Sequence, residues 1–125
     1  MEKYVGNKKR LCIMISGRGS NLLSIIKNTM KKNFPAEVVL VVSNNPFAKG
    51  LVYAKKHKIS FKVIKKKNIY LFEKNLFKIL KKNKIDLICL AGFIKILTKN
   101  FVRKFHKKII NIHPSLLPKY KGLNT

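Results

Sequence analysis

Apolar residues along the chain fall into short continuous runs that are separated by stretches of mixed polarity. The runs LCIMIS (11–16), VVLVVS (38–43) and DLICLAG (86–92) contain many β-branched residues. Such runs are typical of strands that are buried on both faces of a sheet. FKVIK (61–65) and IINIH (109–113) predict two weaker strands.

Between the strands, apolar side chains recur at the spacing of one helix face, which predicts that they pack in the core. Two shorter helices are predicted over 48–57 and 98–105. The alternation of strands and helices predicts an α/β fold: a Rossmann-like, doubly wound, mainly parallel sheet with helices on both faces and right-handed crossovers. A length of 125 residues predicts one domain. The stripe residues are Leu22, Ile26, Thr29 and Met30, followed by Phe72, Leu76, Ile79 and Leu80.

Two features of the sequence, its lack of long apolar segments and its cysteine positions, indicate the compartment in which the protein works. The sequence has no apolar run of the roughly 18 residues that a membrane span needs, and its start lacks the pattern of a secretory signal. We therefore expect a cytoplasmic protein with no membrane partner. Cys12 and Cys89 each lie inside an apolar run and fit no metal-binding spacing, so we expect buried, reduced thiols.

The net charge of +25 is dominated by Lys, which accounts for 26 of the 29 basic residues, against four acids. Such a surface attracts polyanions. However, the Lys residues are scattered over every segment and occur with many Asn, Ile and Phe, a bias that AT-rich codons explain without any function. We expect nucleic acid to bind only non-specifically, since no aromatic and basic signature such as an RNP motif is present.

In a doubly wound sheet, ligands bind outside the carboxyl ends of the strands, where the strand order reverses. SGRGSNL (16–22) follows the first strand and precedes a helix. Gly17 and Gly19 allow a tight turn, Ser20 and Asn21 can cap the helix, and its free N–H groups favour a phosphate. A plain capped turn is an equally good interpretation, because the motif is neither a Walker A sequence nor GxGxxG, whose last glycine is replaced by Leu22.

A second motif, LAGFIKIL (90–97), leaves the fourth strand. Gly92 allows an abrupt change of direction, and the apolar residues after it can form a rim that holds a flat ring. Taken alone, this motif fits ordinary core packing better. The apolar residues are Phe93, Ile94, Ile96 and Leu97.

The last strand ends in Asn111 and His113, followed by Pro114. Residues two apart in a strand point the same way, so the amide and the imidazole share one side while Ile112 turns into the core. Pro114 has no N–H, and the strand should stop there. For His113 alone, a hydrogen bond from a strand end to a carbonyl is the simpler interpretation.

Four motifs in this order and spacing, GRGSNL, SNNPFAKGL, LAGFIKIL and NIHPSLLPKYKGL, resemble the phosphoribosylglycinamide formyltransferases, folate-dependent enzymes of purine synthesis. The resemblance extends over essentially the whole chain. NIHPSLLP is shared with methionyl-tRNA formyltransferase, which remains an alternative, although the first loop of that enzyme does not normally read GRGSNL. A non-catalytic, basic, nucleic-acid-binding fragment is the second alternative.

The resemblance implies two substrates and no metal. The backbone of the first loop would hold the phosphate of 5-phosphoribosylglycinamide, and the segment after Gly92, together with Asn111, would bind 10-formyltetrahydrofolate. Asn111 and His113 would be catalytic: both would stabilise the oxyanion that forms on the formyl group, and His113 would also give a proton to the departing folate nitrogen. The implied substrate-binding residues are Gly19, Ser20 and Asn21, and the implied folate-binding residues are Ile94, Lys95, Ile96, Leu97 and Asn111.

The chain departs from the family pattern in two ways. The catalytic Asp of the family lies well beyond NIHPSLLP, whereas this sequence ends at Thr125. Residues 1–125 are therefore expected to form the amino-terminal domain without the carboxyl-terminal part, to be catalytically incomplete alone, and to associate through an exposed sheet edge. Lys95 stands where many relatives have Arg, which keeps the charge but loses the bidentate fork. None of the four acids matches a catalytic motif: Glu2, Glu37, Glu73 and Asp86.

Overall fold

A computed structural model describes residues 7–105 and 108–112 of the chain. The described part forms a five-stranded sheet with the order β3-β2-β1-β4-β5, in which every neighbouring pair is parallel. This arrangement confirms the predicted doubly wound α/β fold. The strands are β1 (Lys9–Ile15), β2 (Ala36–Ser43), β3 (Ser60–Val63), β4 (Leu87–Ala91) and β5 (Ile109–Ile112).

Four helices connect the strands and cover both faces of the sheet. They are α1 (Ser20–Thr29), α2 (Gly50–Lys56), α3 (Ile69–Lys82) and α4 (Lys99–Lys104). Buried residues of α1 and α2 pack in one hydrophobic cluster, and those of α3 and α4 pack in another. No helix in the described part of the chain is long and apolar enough to cross a membrane.

Strand β1 lies at the centre of the sheet, where its residues contribute to both clusters. Cys12, Ile13, Met14 and Ile15 are fully buried. Ile13 and Ile15 belong to the cluster under α1 and α2, whereas Cys12 and Met14 belong to the one under α3 and α4. The alternation of strand side chains between two covered faces explains why the whole run must be apolar.

The two helices predicted over 48–57 and 98–105 are confirmed to within two residues at each end, and the two predicted stripes hold with one error. Met30, which the helical spacing places on the buried stripe of α1, is exposed, because the helix ends at Thr29 and Met30 is its C-cap. The other predicted stripe residues are buried, except Ile79, which packs against the core while half-buried. Asn68 caps α3 by accepting hydrogen bonds from Tyr70 N and Leu71 N at 2.9 and 3.1 Å.

Both cysteines are free and buried, as expected, and they lie in opposite clusters. Burial raises the pKa of the Cys12 thiol far above its ordinary value, and the nearby Cys89 adds to the effect. Burial also raises the pKa of Cys89. Both side chains are therefore held in the folded protein as neutral thiols.

We predict that both thiols resist alkylation in the native chain. At a pH near the ordinary thiol pKa of about 8.5, iodoacetamide should modify both cysteines slowly until urea unfolds the protein. The reason is that the thiolate is the nucleophile, and burial disfavours it. The pKa of each thiol is higher in the folded chain than in the unfolded chain. Its contribution to the free energy of unfolding is therefore fully present below the unfolded pKa, and it is lost as the pH rises from there through the folded pKa. Mass spectrometry counts the modified residues, and rapid native modification of Cys12 would contradict its burial.

Candidate functional site

The carboxyl ends of the five parallel strands lie at one edge of the sheet. The chain proceeds from β1 outward to β2 and β3, and then returns to the other side of β1 to form β4 and β5. The strand order therefore reverses between β1 and β4, which is where doubly wound sheets bind ligands. Three connections begin at or beside this point: the β1–α1 loop (16–19), the β2–α2 loop (44–49) and the β4–α4 loop (92–98).

The β1–α1 loop leads directly into the amino terminus of α1. Gly19 is the N-cap in the left-handed conformation, with φ 81°, and no side chain caps the helix. Ser20 and Asn21 are thus helical residues, and the prediction that they cap the helix is wrong. Because Gly19 adopts a conformation that other residues avoid, the helix starts at Ser20. The N–H groups of the first turn have no acceptor within the helix, and this turn contains no acid that would repel an anion.

The conformation of Gly19 is set by its contact with the backbone of α2. A Cβ built on Gly19 would lie 2.4 Å from Gly50 Cα, and one built on Gly50 would lie 3.0 Å from Gly19 Cα. Gly50 N also donates a hydrogen bond to Gly17 O at 3.0 Å. The glycines therefore bring the first loop against α2, which is a packing requirement separate from any ligand. By contrast, a Cβ on Gly17 would meet nothing within 4 Å.

Ser16 joins the three connections. Its hydroxyl donates to Asn44 Oδ1 at 2.7 Å and accepts from Ile94 N at 2.9 Å. Its carbonyl accepts from Asn45 Nδ2 at 3.2 Å. The segment SNN (43–45) is thereby tied to the end of β1, while Asn45 Oδ1 also accepts from Phe47 N at 2.9 Å within its own loop.

The β4–α4 loop turns away from the sheet at Gly92, whose φ of 76° is the conformation that the sequence predicts for an abrupt change of direction. Its apolar residues divide into two sets. Phe93 and Leu97 pack against the core, whereas Ile94 and Ile96 are 79% and 87% exposed. Core packing therefore describes Phe93 and Leu97, and an exposed apolar rim describes Ile94 and Ile96.

Lys95 lies between the two exposed isoleucines. Its Nζ donates to Lys67 O at 3.2 Å and lies 5.5 Å from the centroid of the Phe72 ring. These contacts hold the ammonium group beside the segment that precedes α3. An ammonium has three donors, so Lys95 can still bind an anionic group there.

Asn111 lies in β5, in register with Leu90 of β4, and Ile112 is in register with Ala91, the residue before Gly92. Asn111 therefore lies next to the β4–α4 loop, at the edge formed by the carboxyl ends of the strands, which we call the ligand edge. Its side chain is exposed. Ile112 packs against the core as expected. The predicted partner of Asn111, His113, lies outside the described residues, as does the rest of NIHPSLLPKYKGL after Ile112.

The three acids in the described part of the chain each have a structural position or contact. Asp86 is at the amino end of β4, where its Oδ2 accepts from Arg10 N at 2.8 Å. Glu37 is near the amino end of β2. Glu73 is 7% exposed, and its two oxygens accept from Thr98 N and Thr98 Oγ1 at 2.6 and 2.7 Å. Within residues 7–105 and 108–112, no group of three His, Cys, Asp or Glu side chains lies close enough to bind a metal ion.

Sequence reasoning missed Ser16, Asn44 and Glu73 as residues that shape this edge. Ser16 ends the run LCIMIS and begins SGRGSNL, and Asn44 lies in SNNPFAKGL, but neither motif predicts the hydrogen bond between these two side chains. A signal existed for Glu73, since an acid beside the apolar stripe residue Phe72, in a chain with four acids, is a candidate for a buried, specific contact.

Comparison with known proteins gives one consistent result. Residues 9–125 match the family model described as formyl transferase. The chain is 46% identical over 123 residues to phosphoribosylglycinamide formyltransferase of Haemophilus influenzae, covering 94% of this chain and 57% of that protein. It is 44% identical over 125 residues to the trifunctional purine biosynthetic protein adenosine-3 of Gallus gallus, covering 98% of this chain and 12% of that protein.

Solved structures agree with the sequence comparison. The crystal structure of phosphoribosylglycinamide formyltransferase from Brucella melitensis superposes with a TM-score of 0.84 at 38% identity, over 94% of this chain and 62% of that one. The enzyme from Anaplasma phagocytophilum gives 0.79 at 42% identity, over 94% and 55%. The chain therefore spans less than two thirds of the length of these relatives.

We predict that Gly19→Ala destabilises the fold whereas Gly17→Ala does not. A left-handed non-glycine residue costs about 1–3 kcal/mol, and the clash with Gly50 Cα adds to this cost. Gly17→Ala is the matched control, because the added methyl has open space. Urea unfolding monitored by circular dichroism measures both variants, and equal midpoints would contradict the assigned contact.

Proposed function

The chain belongs to the formyl transferase family, and on that premise we propose that it takes part in the transfer of a formyl group from 10-formyltetrahydrofolate to the amine of 5-phosphoribosylglycinamide, in purine biosynthesis. The observation that carries this proposal is the meeting of the β1–α1 loop, the β4–α4 loop and Asn111 at one edge, where the strand order reverses. Three of the four relatives reported above are named phosphoribosylglycinamide formyltransferase, and the fourth is a purine biosynthetic protein, so we prefer this substrate to methionyl-tRNA.

In this proposal the phosphate of 5-phosphoribosylglycinamide binds at the start of α1, through the backbone of Gly19, Ser20 and Asn21. Support comes from the uncapped first turn, from its lack of acids and from the positive end of the helix dipole. Arg18, which is exposed in the same loop, adds a positive charge.

The folate would bind along the β4–α4 loop. The exposed side chains of Ile94 and Ile96 offer apolar surface for a flat ring. Leu97 packs against the core, so it would offer its backbone rather than its side chain. Lys95 is placed to attract a negatively charged part of the ligand.

When both substrates are bound, the glycinamide amine attacks the formyl carbon supplied by 10-formyltetrahydrofolate. Asn111 would donate an amide hydrogen bond to the formyl oxygen, which gains negative charge as the new C–N bond forms. His113 would add a second donor and give a proton to the folate nitrogen as its bond to the formyl carbon breaks. A carboxylate beside His113 would keep it charged near neutral pH, and the resemblance implies that this carboxylate belongs to the carboxyl-terminal part of the family's enzymes.

We predict that affinity for 5-phosphoribosylglycinamide depends on its phosphate. Charge-assisted hydrogen bonds contribute about 1.5–3 kcal/mol, so the dephosphorylated compound should bind about ten- to a hundredfold more weakly. Isothermal titration calorimetry measures both ligands, with inorganic phosphate as the competing ligand. Equal affinities would remove the phosphate site from α1. Weakening by added salt alone, without competition by phosphate, would indicate non-specific attraction to the Lys surface.

We also predict that Asn111→Ala and His113→Ala each lower turnover on the order of a hundredfold to a thousandfold, the usual cost of losing a preorganised oxyanion donor. The rate should be measured in this chain completed with the carboxyl-terminal part of the Haemophilus influenzae relative. Ile110→Ala is a control, because Ile110 is the exposed neighbour of Asn111 on the opposite side of β5. Near-normal transfer by the Asn111 or His113 variant would reject the role assigned to that residue.

A further inference from the structure

The β4–α4 loop has no helix or strand, yet it carries two of the most exposed apolar side chains in the described part of the chain, Ile94 and Ile96. An irregular segment of this kind loses conformational entropy when it binds a ligand, unless its shape is already fixed. The contacts that fix the loop therefore bear on its affinity.

One end of the loop is held by Ser16. The Ser16 side chain is 7% exposed, and its hydroxyl uses both of its capacities, as donor to Asn44 Oδ1 and as acceptor from Ile94 N. Because Asn44 fixes the direction of the hydroxyl hydrogen, an oxygen lone pair remains directed at the Ile94 N–H group. Ser16 and Ile94 are 78 residues apart in sequence, so this bond joins two separate loops at the site.

The other end is held by Glu73 of α3. Its two carboxylate oxygens accept from two different donors of one residue, Thr98 N and Thr98 Oγ1, at 2.6 and 2.7 Å. Hydrogen bonds to a charged acceptor are stronger than neutral ones. Thr98 Oγ1 in turn accepts from Phe101 N at 3.2 Å and caps α4, so Glu73 fixes the exit of the loop and the start of the helix together.

Between these two anchors, alternate residues face the core. The Phe93 ring stacks on Phe72 with centroids 5.9 Å apart, and Leu97 packs in the same cluster. Ile94 and Ile96 are therefore turned outward by the residues beside them.

We infer that Ser16 and Glu73 are positioning residues that hold the β4–α4 loop in its ligand-binding shape, Ser16 through the Ile94 N–H group and Glu73 through Thr98. This inference rests on the proposed function, in which that loop receives the folate. Neither side chain is required to touch the ligand; each determines where the exposed isoleucines stand before the ligand arrives.

The test uses Ser16→Ala, Glu73→Gln and Thr98→Val in this chain, with Ser43→Ala and Thr98→Ser as controls. Ser43 is matched to Ser16, because it is also a buried serine at the carboxyl end of a strand, but among the described residues its hydroxyl bonds the backbone of Asn45, in its own loop. Thr98→Ser keeps both donors to Glu73. Thr98→Val removes the Oγ1 donor to Glu73, together with the α4 cap, while Glu73 itself is kept. The second anchor can therefore be tested even if Glu73→Gln does not fold.

Two measurements are made at a temperature where each variant is folded. The first is amide hydrogen exchange of the loop without ligand. We expect it to rise about tenfold at Ile94 in Ser16→Ala and near Thr98 in Glu73→Gln and Thr98→Val, because each variant loses at least one hydrogen bond that holds the loop. The second is calorimetric binding of tetrahydrofolate and, separately, of 5-phosphoribosylglycinamide, measured in the chain completed with the carboxyl-terminal part of the Haemophilus influenzae relative. The anchor variants should lose about tenfold in tetrahydrofolate affinity, with little change for the phosphate ligand, while both controls behave like the unmodified chain.

Each outcome decides a different claim. Unchanged exchange in Ser16→Ala or in Thr98→Val would overturn that anchor, whatever the ligand does. Raised exchange with unchanged tetrahydrofolate affinity would show that the loop is held but that its shape does not matter for binding, which also overturns the inference. Equal losses for both ligands would show a general structural role. If the completed chain without these substitutions binds no tetrahydrofolate, the proposed function fails, while the exchange data still decide whether the anchors hold the loop.

Discussion

The geometry of the site depends on the burial of β1 between two parallel neighbours. Cys12 to Ile15 are fully enclosed, and the strand pairs with β2 on one side and β4 on the other. The β1–α1, β2–α2 and β4–α4 loops are tied to the end of this strand through Ser16. Ser16 is the first residue after β1. The distance between the start of α1 and the β4–α4 loop therefore depends on the register of β1 and β4, and core packing fixes that register.

Much of the fold can be predicted from the sequence because the strand signal is strong. Runs such as VVLVVS and LCIMIS must lie where both faces are covered, and their alternation with helical stripes leaves few topologies. The errors occur where local signals compete. Ser20 looks like a helix cap, yet Gly19 takes that position, because the left-handed turn is required by the contact with Gly50. Met30 continues the apolar period after the helix has ended.

The site could be predicted only in part. Gly19, Ser20 and Asn21, the segment that follows Gly92, and Asn111 lie at the predicted edge. The contacts that join them could not be predicted, since the Ser16 hydroxyl reaches a backbone N–H that is 78 residues away, and no periodicity encodes such a bond. The alternation within LAGFIKIL was equally hidden, because Phe93 and Ile94 have similar hydropathy but opposite environments. In a chain with so few acids, Glu73 and Asp86 both accept from backbone N–H groups, so these acids serve the architecture.

The contact between Gly19 and Gly50 has a consequence for how such a sequence can diverge. Each glycine occupies the space that a side chain on the other would need, and Ile15 Cδ1 would lie 2.6 Å from a Cβ on Gly50. Residues in direct contact have non-additive effects when both are changed. Once either glycine had been replaced, and the helices had separated to accommodate the new side chain, the second glycine would no longer be under the same constraint. The pair therefore forms an epistatic unit, and changes at the two positions should accumulate together.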